Sequence, residues 1–187
     1  EANITVFDAL KKSDTDPNGK FFLERYLAAH AIMISFEGIQ AIYFNSLFGK
    51  SNDEAKYVIT GNNRDINRYK WSYENIKKKL NNKNSKQSIF YQNLGKLLEI
   101  KIKQKAFHPN AKRLNINLGS KIFCYERISL DKKQTIICIT NLSTKLQYIK
   151  IHKNLVKYRD LIGRKIFFTL DKKIKLDPCQ TIWLSNR

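Results

Sequence analysis

Acidic side chains are scarce in this chain. Sixteen Asp and Glu stand against 35 Lys and Arg, a formal charge of +19 over 187 residues. So basic a balance raises nucleic acid or an anionic membrane as a partner. Long apolar runs are missing too. The longest, residues 27–36, is broken by His30 and Ser35. It falls short of the roughly 18–20 residues that span a bilayer and reads as a buried helix, so no membrane is expected. Cysteine is rare: Cys124, Cys138 and Cys179 form no CxxC pair and no Cys/His cluster with zinc spacing, which excludes a disulfide framework or a structural zinc site. An odd, unpatterned number of thiols fits a reducing, cytoplasmic compartment. The three histidines are isolated from one another and read as structural. Glu1 opens the chain and no Met precedes Met33, so a native start is not visible and a missing signal segment carries no weight.

What is present is a globular composition, 42% hydrophobic and 12% aromatic. Residues Arg68-Tyr69-Lys70-Trp71-Ser72-Tyr73, followed by Lys77-Lys78-Lys79, interleave aromatics with charge as single-strand binders do. The lysines are nevertheless scattered through the whole chain. Together with abundant Asn and Ile they read as a solvated surface and a compositional bias, so no nucleic acid is expected. A basic nucleic-acid-binding module is kept as the alternative from another functional class.

Two halves differ in rhythm. A turn at Asp16-Pro17-Asn18-Gly19 precedes Leu23, Leu27, Ala31 and Ile34 at helical spacing, stopped by Gly38. Residues 39–44 are short and almost wholly apolar, as in a parallel strand buried on both faces. Residues 46–68 form a long polar connection, and connections of that length usually carry function. A short helix over 72–80 follows, then a longer one with Phe90, Leu94, Leu98 and Ile102 on one face. From Ala111 onward, short runs alternate with turns: 114–118, 122–125, 135–139, 146–151, 164–169 and 181–184. That rhythm suits an antiparallel sandwich. A single parallel strand between helices leaves both its edges unpaired, so the pattern asks for βα units preceding it.

Several blocks carry a resemblance: Asn3-Ile4-Thr5-Val6-Phe7-Asp8-Ala9-Leu10, Arg25-Tyr26-Leu27-Ala28-Ala29-His30-Ala31-Ile32, Gly38-Ile39-Gln40-Ala41-Ile42-Tyr43-Phe44-Asn45-Ser46-Leu47-Phe48-Gly49, Thr60-Gly61-Asn62-Asn63-Arg64-Asp65-Ile66-Asn67-Arg68 and Ala106-Phe107-His108-Pro109-Asn110-Ala111. In order and spacing the chain resembles the C-terminal part of the sucrose phosphorylase subfamily of glycoside hydrolase family 13. The last block is more similar to the branch of glucosylglycerate, glucosylglycerol and sucrose-6-phosphate phosphorylases. Gln40 departs from the usual Pro.

The resemblance implies an α/β plus all-β architecture. Residues 1–110 would be the C-terminal end of a (β/α)8 TIM barrel, with 38–44 as its eighth strand, and 111–187 a β-sandwich domain. Active sites lie at the C-terminal ends of such strands, so residues 46–68 would sit over a sugar pocket. The implied activity is retaining transfer of a glucosyl unit from an α-glucoside to orthophosphate, without metal or organic cofactor. The family's three catalytic carboxylates would all precede Glu1, so the chain holds no catalytic residue and is expected to be inert alone, lacking the N-terminal barrel portion. Arg64 matches the arginine that binds a far hydroxyl of the glucosyl ring. Glu1 falls at the end of an acceptor loop, and Asn3, Asp8, Asp65 and Arg68 would brace the loops or stand behind the sugar contacts. A hydrolase or transglucosylase of the same family is the alternative within the resemblance.

Overall fold

The structure, a computed structural model, describes residues 3–151, 155, 157–163 and 173–187. Two compact units are formed, one by residues 1–26 and 41–96, the other by residues 27–40 and 97–187.

The helices are α1 (Val6–Leu10), α2 (Phe22–Ser35), α3 (Phe44–Leu47), α4 (Glu54–Thr60), α5 (Tyr73–Asn81) and α6 (Lys86–Lys101). Thr5 caps α1 by accepting from the Asp8 amide, and Ser72 caps α5 by accepting from the Asn75 amide. The core of the first unit is aromatic. Phe7 meets Phe22 edge-on at 4.6 Å, and Tyr26 meets Phe90 edge-on at 4.7 Å, a geometry that adds to simple area burial. Tyr26 is fully buried and donates its hydroxyl to the Ser46 carbonyl at 2.6 Å; burial pushes its pKa up to about 12. Gly49 closes over this cluster with φ +54°, and a Cβ there would stand 2.8 Å from Phe90 Cγ. Only glycine meets both demands.

The strands are β1 (Lys112–Asn117), β2 (Ile122–Ile128), β3 (Thr135–Asn141), β4 (Gln147–Ile149), β5 (Arg159–Asp160), β6 (Ile174–Leu176) and β7 (Thr181–Ser185). Five make an antiparallel sheet in the order β1-β2-β3-β7-β5, and β4 pairs with β6. The two sheets share a core of Ile122, Cys124, Ile137, Ile139, Ile149, Ile174, Leu176, Ile182 and Leu184. Alternate residues of the larger sheet point the other way, as the pleat requires. There the Tyr125 hydroxyl pairs with Ser35 at 2.5 Å, and Trp183 packs on Phe107 with ring centroids 4.8 Å apart.

Arg127 belongs to that second face and is fully buried. Its guanidinium donates to the carbonyls of Ser35 (2.6 Å), His108 (2.7 Å) and Ala111 (3.2 Å). It thereby joins β2 to the end of α2 and to the turn that enters β1. Burial lowers its pKa from the usual guanidinium value. Beside it, the Glu37 carboxylate is held low by its 2.6 Å bond from Arg113.

The second half is antiparallel as its turns predict, although the expected strand 164–169 lies outside the described residues, and β5 and β6 form where the sequence pattern predicts no strand. The first half differs more. Residues 39–43 join no ladder, and the chain turns helical at Phe44. Ile39 is 92% exposed, and Tyr43 and Phe44 are each 54% exposed, so the expected eighth strand and its buried faces are not formed among the described residues. A strand exists only where a neighbour supplies the other half of its hydrogen bonds, and no described strand lies alongside this one. The long connection 46–68 is not bare loop either. It contains α4 and a 3-10 turn over Asn63–Ile66. In α6 the buried face is Phe90, Leu94 and Leu97, whereas Ile102 is 74% exposed.

Candidate functional site

The segment bearing Arg64 is built from local caps and a few long-range bonds. Asp53 opens α4 by accepting from the Lys56 amide, and Gly61 closes it in the left-handed region with φ 64°. Asn62 then caps the 3-10 turn by accepting from the Arg64 amide at 3.0 Å. The Asp53 amide donates to the Ile66 carbonyl at 2.8 Å, which brings the two ends of this stretch together. Arg64 is exposed on the turn. Its neighbour Asp65 is ion-paired with Lys56 at 2.9 Å. That pair is the main cause holding the Asp65 carboxyl below its usual range, with help from the Thr60 side chain and the charge of Arg68.

Two asparagines tie this stretch to the rest of the unit. Asn45 is buried at 3% exposure. Its amide nitrogen donates to the carbonyls of Asn67 (3.3 Å) and Tyr69 (3.1 Å), and its oxygen accepts from the Trp71 indole (2.8 Å). The Asn52 side-chain oxygen accepts from the Thr5 amide at 2.9 Å and from the Thr5 hydroxyl at 3.1 Å, while the Asn52 backbone N–H donates to the Asp8 carboxylate at 2.5 Å. Asn45 belongs to one of the motif blocks and Asn52 to a polar run, but neither is singled out as a site residue, because no periodicity marks what it holds.

Of the residues singled out from the sequence, the structure places Arg64 and Asp65 on one turn, has the Arg68 amide just beyond it donating to the Asp65 carbonyl at 3.4 Å, and links Asp8 to Asn52. Asn3 is half-buried ahead of α1, and Glu1 lies outside the described residues. Tyr69 and Trp71 pack edge to face at 4.9 Å, with the Lys50 amine 4.2 Å from the Tyr69 ring centre, a favourable cation–π placement.

The Arg64 guanidinium offers five donors in a fixed plane. Among the described residues no group of three His, Cys, Asp or Glu could hold a metal ion. The buried Asp160 carboxylate is engaged by the amides of Trp183, Ile162 and Gly163. A cleft of about 530 Å3 in the second unit, lined by Ile102, Phe107, Pro109 and Leu130 among others, contains none of the sugar-contact candidates. No helix among the described residues is long and apolar enough to cross a membrane.

No protein-family model matches the chain. Individual proteins do. Glucosylglycerate phosphorylase of Escherichia coli K12 is 30% identical over 187 residues, covering 98% of this chain and 32% of that protein. The glucosylglycerate phosphorylase of Allomeiothermus silvanus is 31% identical over 185 residues, covering 98% and 31%. The chain thus spans about a third of the length of the curated relatives it matches. Among solved structures, AmyP with maltotriose superposes with a TM-score of 0.70 at 15% identity, over 92% of this chain and 36% of that one. Trehalose-6-phosphate hydrolase of Bacillus licheniformis superposes with a TM-score of 0.63 at 14% identity, over 92% and 40%. At such identities these structures establish the fold alone. Over nearly its whole length, the chain is homologous to about a third of a glucosylglycerate phosphorylase.

Proposed function

We propose that the protein to which this chain belongs is a retaining glycoside phosphorylase that transfers a glucosyl unit from an α-glucoside to orthophosphate, with glucosylglycerate the favoured donor. The observation that carries the reading is the 30–31% identity to two glucosylglycerate phosphorylases along 98% of the chain. In the retaining route one carboxylate attacks the anomeric carbon while a second, about 5 Å away, protonates the leaving oxygen. Phosphate then takes the glucosyl group from the enzyme. Those carboxylates belong to the two-thirds of the relatives' length not represented here, and residues 1–110 complete the barrel around them. The exposed Ile39, Tyr43 and Phe44 suit a segment that pairs with such a barrel. This chain contributes sugar recognition through Arg64, with Asp65 and Arg68 supporting the turn, and it cuts no glycosidic bond by itself.

The test is phosphate-dependent release of glucose 1-phosphate from glucosylglycerate, sucrose, sucrose 6-phosphate and glucosylglycerol by the full-length protein. Failure with all four refutes the proposal. Free glucose released equally with and without phosphate identifies a hydrolase instead. Arg64→Ala is expected to lose about 2–4 kcal/mol of transition-state stabilisation, the worth of a charged hydrogen bond to the sugar.

A further inference from the structure

We propose that Asn45 and Asn52 are positioning residues that hold the Arg64 turn at two points and so set where its guanidinium stands. The inference rests on the reading of Arg64 as a sugar contact, and its geometry is independent of that reading. Residues 53–66 form a loop closed at its base by the Asp53 amide and the Ile66 carbonyl. Upstream of this base, the Asn52 side chain is fastened to the Thr5 cap and its backbone N–H to Asp8 on α1, 47 and 44 residues away in sequence. Downstream, Asn45 grips the carbonyls of Asn67 and Tyr69 and the Trp71 indole. Inside the loop, Lys56 and Asp65 join α4 to the turn. Arg64 stands two residues before the closed base and three before the first carbonyl that Asn45 holds.

The residue type at 45 follows from the chemistry. Two carbonyls require two N–H donors, and the indole N–H requires an acceptor. An asparagine amide supplies both from one short side chain. An Asp of the same shape would keep the acceptor for Trp71 but turn a carboxylate oxygen toward two carbonyl oxygens. A Gln is one methylene too long for a site that is 3% exposed. The buried polar groups around Asn45 therefore restrict the turn to one arrangement, as fully satisfied networks do.

The test is a double-mutant cycle in the full-length enzyme, read as kcat/KM for phosphorolysis of glucosylglycerate. Asn45→Ala and Arg64→Ala should each lower it by roughly tenfold or more. Because Asn45 acts through Arg64, adding Asn45→Ala to Arg64→Ala should cost less than about twofold further. Asn45→Asp should behave like Asn45→Ala despite its shape, and the shifts in donor KM and kcat should parallel those of Arg64→Ala. An Asn45→Ala loss equally large in the Arg64→Ala background means general damage and overturns the positioning role alone. An Arg64→Ala variant within about threefold of wild type removes the sugar contact itself, and the proposal falls with it. If Asn45→Ala yields no folded enzyme, Asn52→Ala carries the same cycle, since it removes only the side-chain bonds to part-buried Thr5 and leaves the backbone bond to Asp8 in place.

Discussion

Replacing Arg127 by Ala should be among the most damaging single changes in the second unit. The side chain is fully buried and gives hydrogen bonds to three carbonyls, those of Ser35, His108 and Ala111, at 2.6, 2.7 and 3.2 Å. The bonds to Ser35 and Ala111 are buried, and each acceptor stranded there costs about 1–3 kcal/mol. The His108 bond is partly buried and water can take its place. Against this loss stands relief from burying a guanidinium whose Nε has no partner among the described residues, a desolvation penalty that offsets part of the damage. The stem also leaves a void between β2 and the end of α2. The net expectation is a loss of about 2–4 kcal/mol, with Arg127→Met retaining part of the packing and losing about 1–3 kcal/mol. Native-state amide exchange along β2 and β3 in the full-length protein, read by mass spectrometry, reports the stability of this unit. Arg113→Ala, whose ion pair with Glu37 is largely exposed, serves as the control and should change stability by less than about 1 kcal/mol. An Arg127→Ala variant within about 0.5 kcal/mol of wild type would refute the view that this guanidinium ties the unit together.

Gly49→Ala should destabilise the first unit by about 2–4 kcal/mol, because the left-handed backbone and the 2.8 Å approach to Phe90 add their costs; amide exchange around α1 and α6 would show it, and unchanged protection contradicts the packing. Asp131 is held down to about 2 by bonds from the Ser129 hydroxyl and the Lys133 amide, with Lys105 adding charge. Because its folded pKa lies below the ordinary 3.8, its stabilisation is present above that value and lost as the pH falls through about 2. Asp131→Asn should therefore lower the urea midpoint at pH 7 and match wild type near pH 2; equal midpoints at both pH values would count against the assignment. Cys124 and Cys138 are buried, and burial pushes the Cys124 thiol up to about 12 and Cys138 higher still. Both should resist thiol reagents in the native state and react only on unfolding, which a native-state labelling time course followed by mass spectrometry can check.

Local chemistry in the sequence was enough to locate α2, α5, α6 and the antiparallel second half, whereas α1, α3 and α4 were not legible. The helical spacing of Leu23, Leu27, Ala31 and Ile34 and the alternation along β2 and β3 are short-range signals. The motif blocks carried the family likeness because they are contiguous runs of residues, readable without knowing what they touch. Tertiary structure decided the rest. Residues 39–43 have the composition of a buried strand, yet a strand needs a neighbour, and composition cannot supply one. Arg127 reads as an ordinary surface base until three carbonyls from distant segments converge on it. Asn45 and Asn52 look like loop polarity until their partners, up to 47 residues away, make them fasteners. Polar burial is determined by groups remote in sequence, so only the folded chain reveals which side chains it holds.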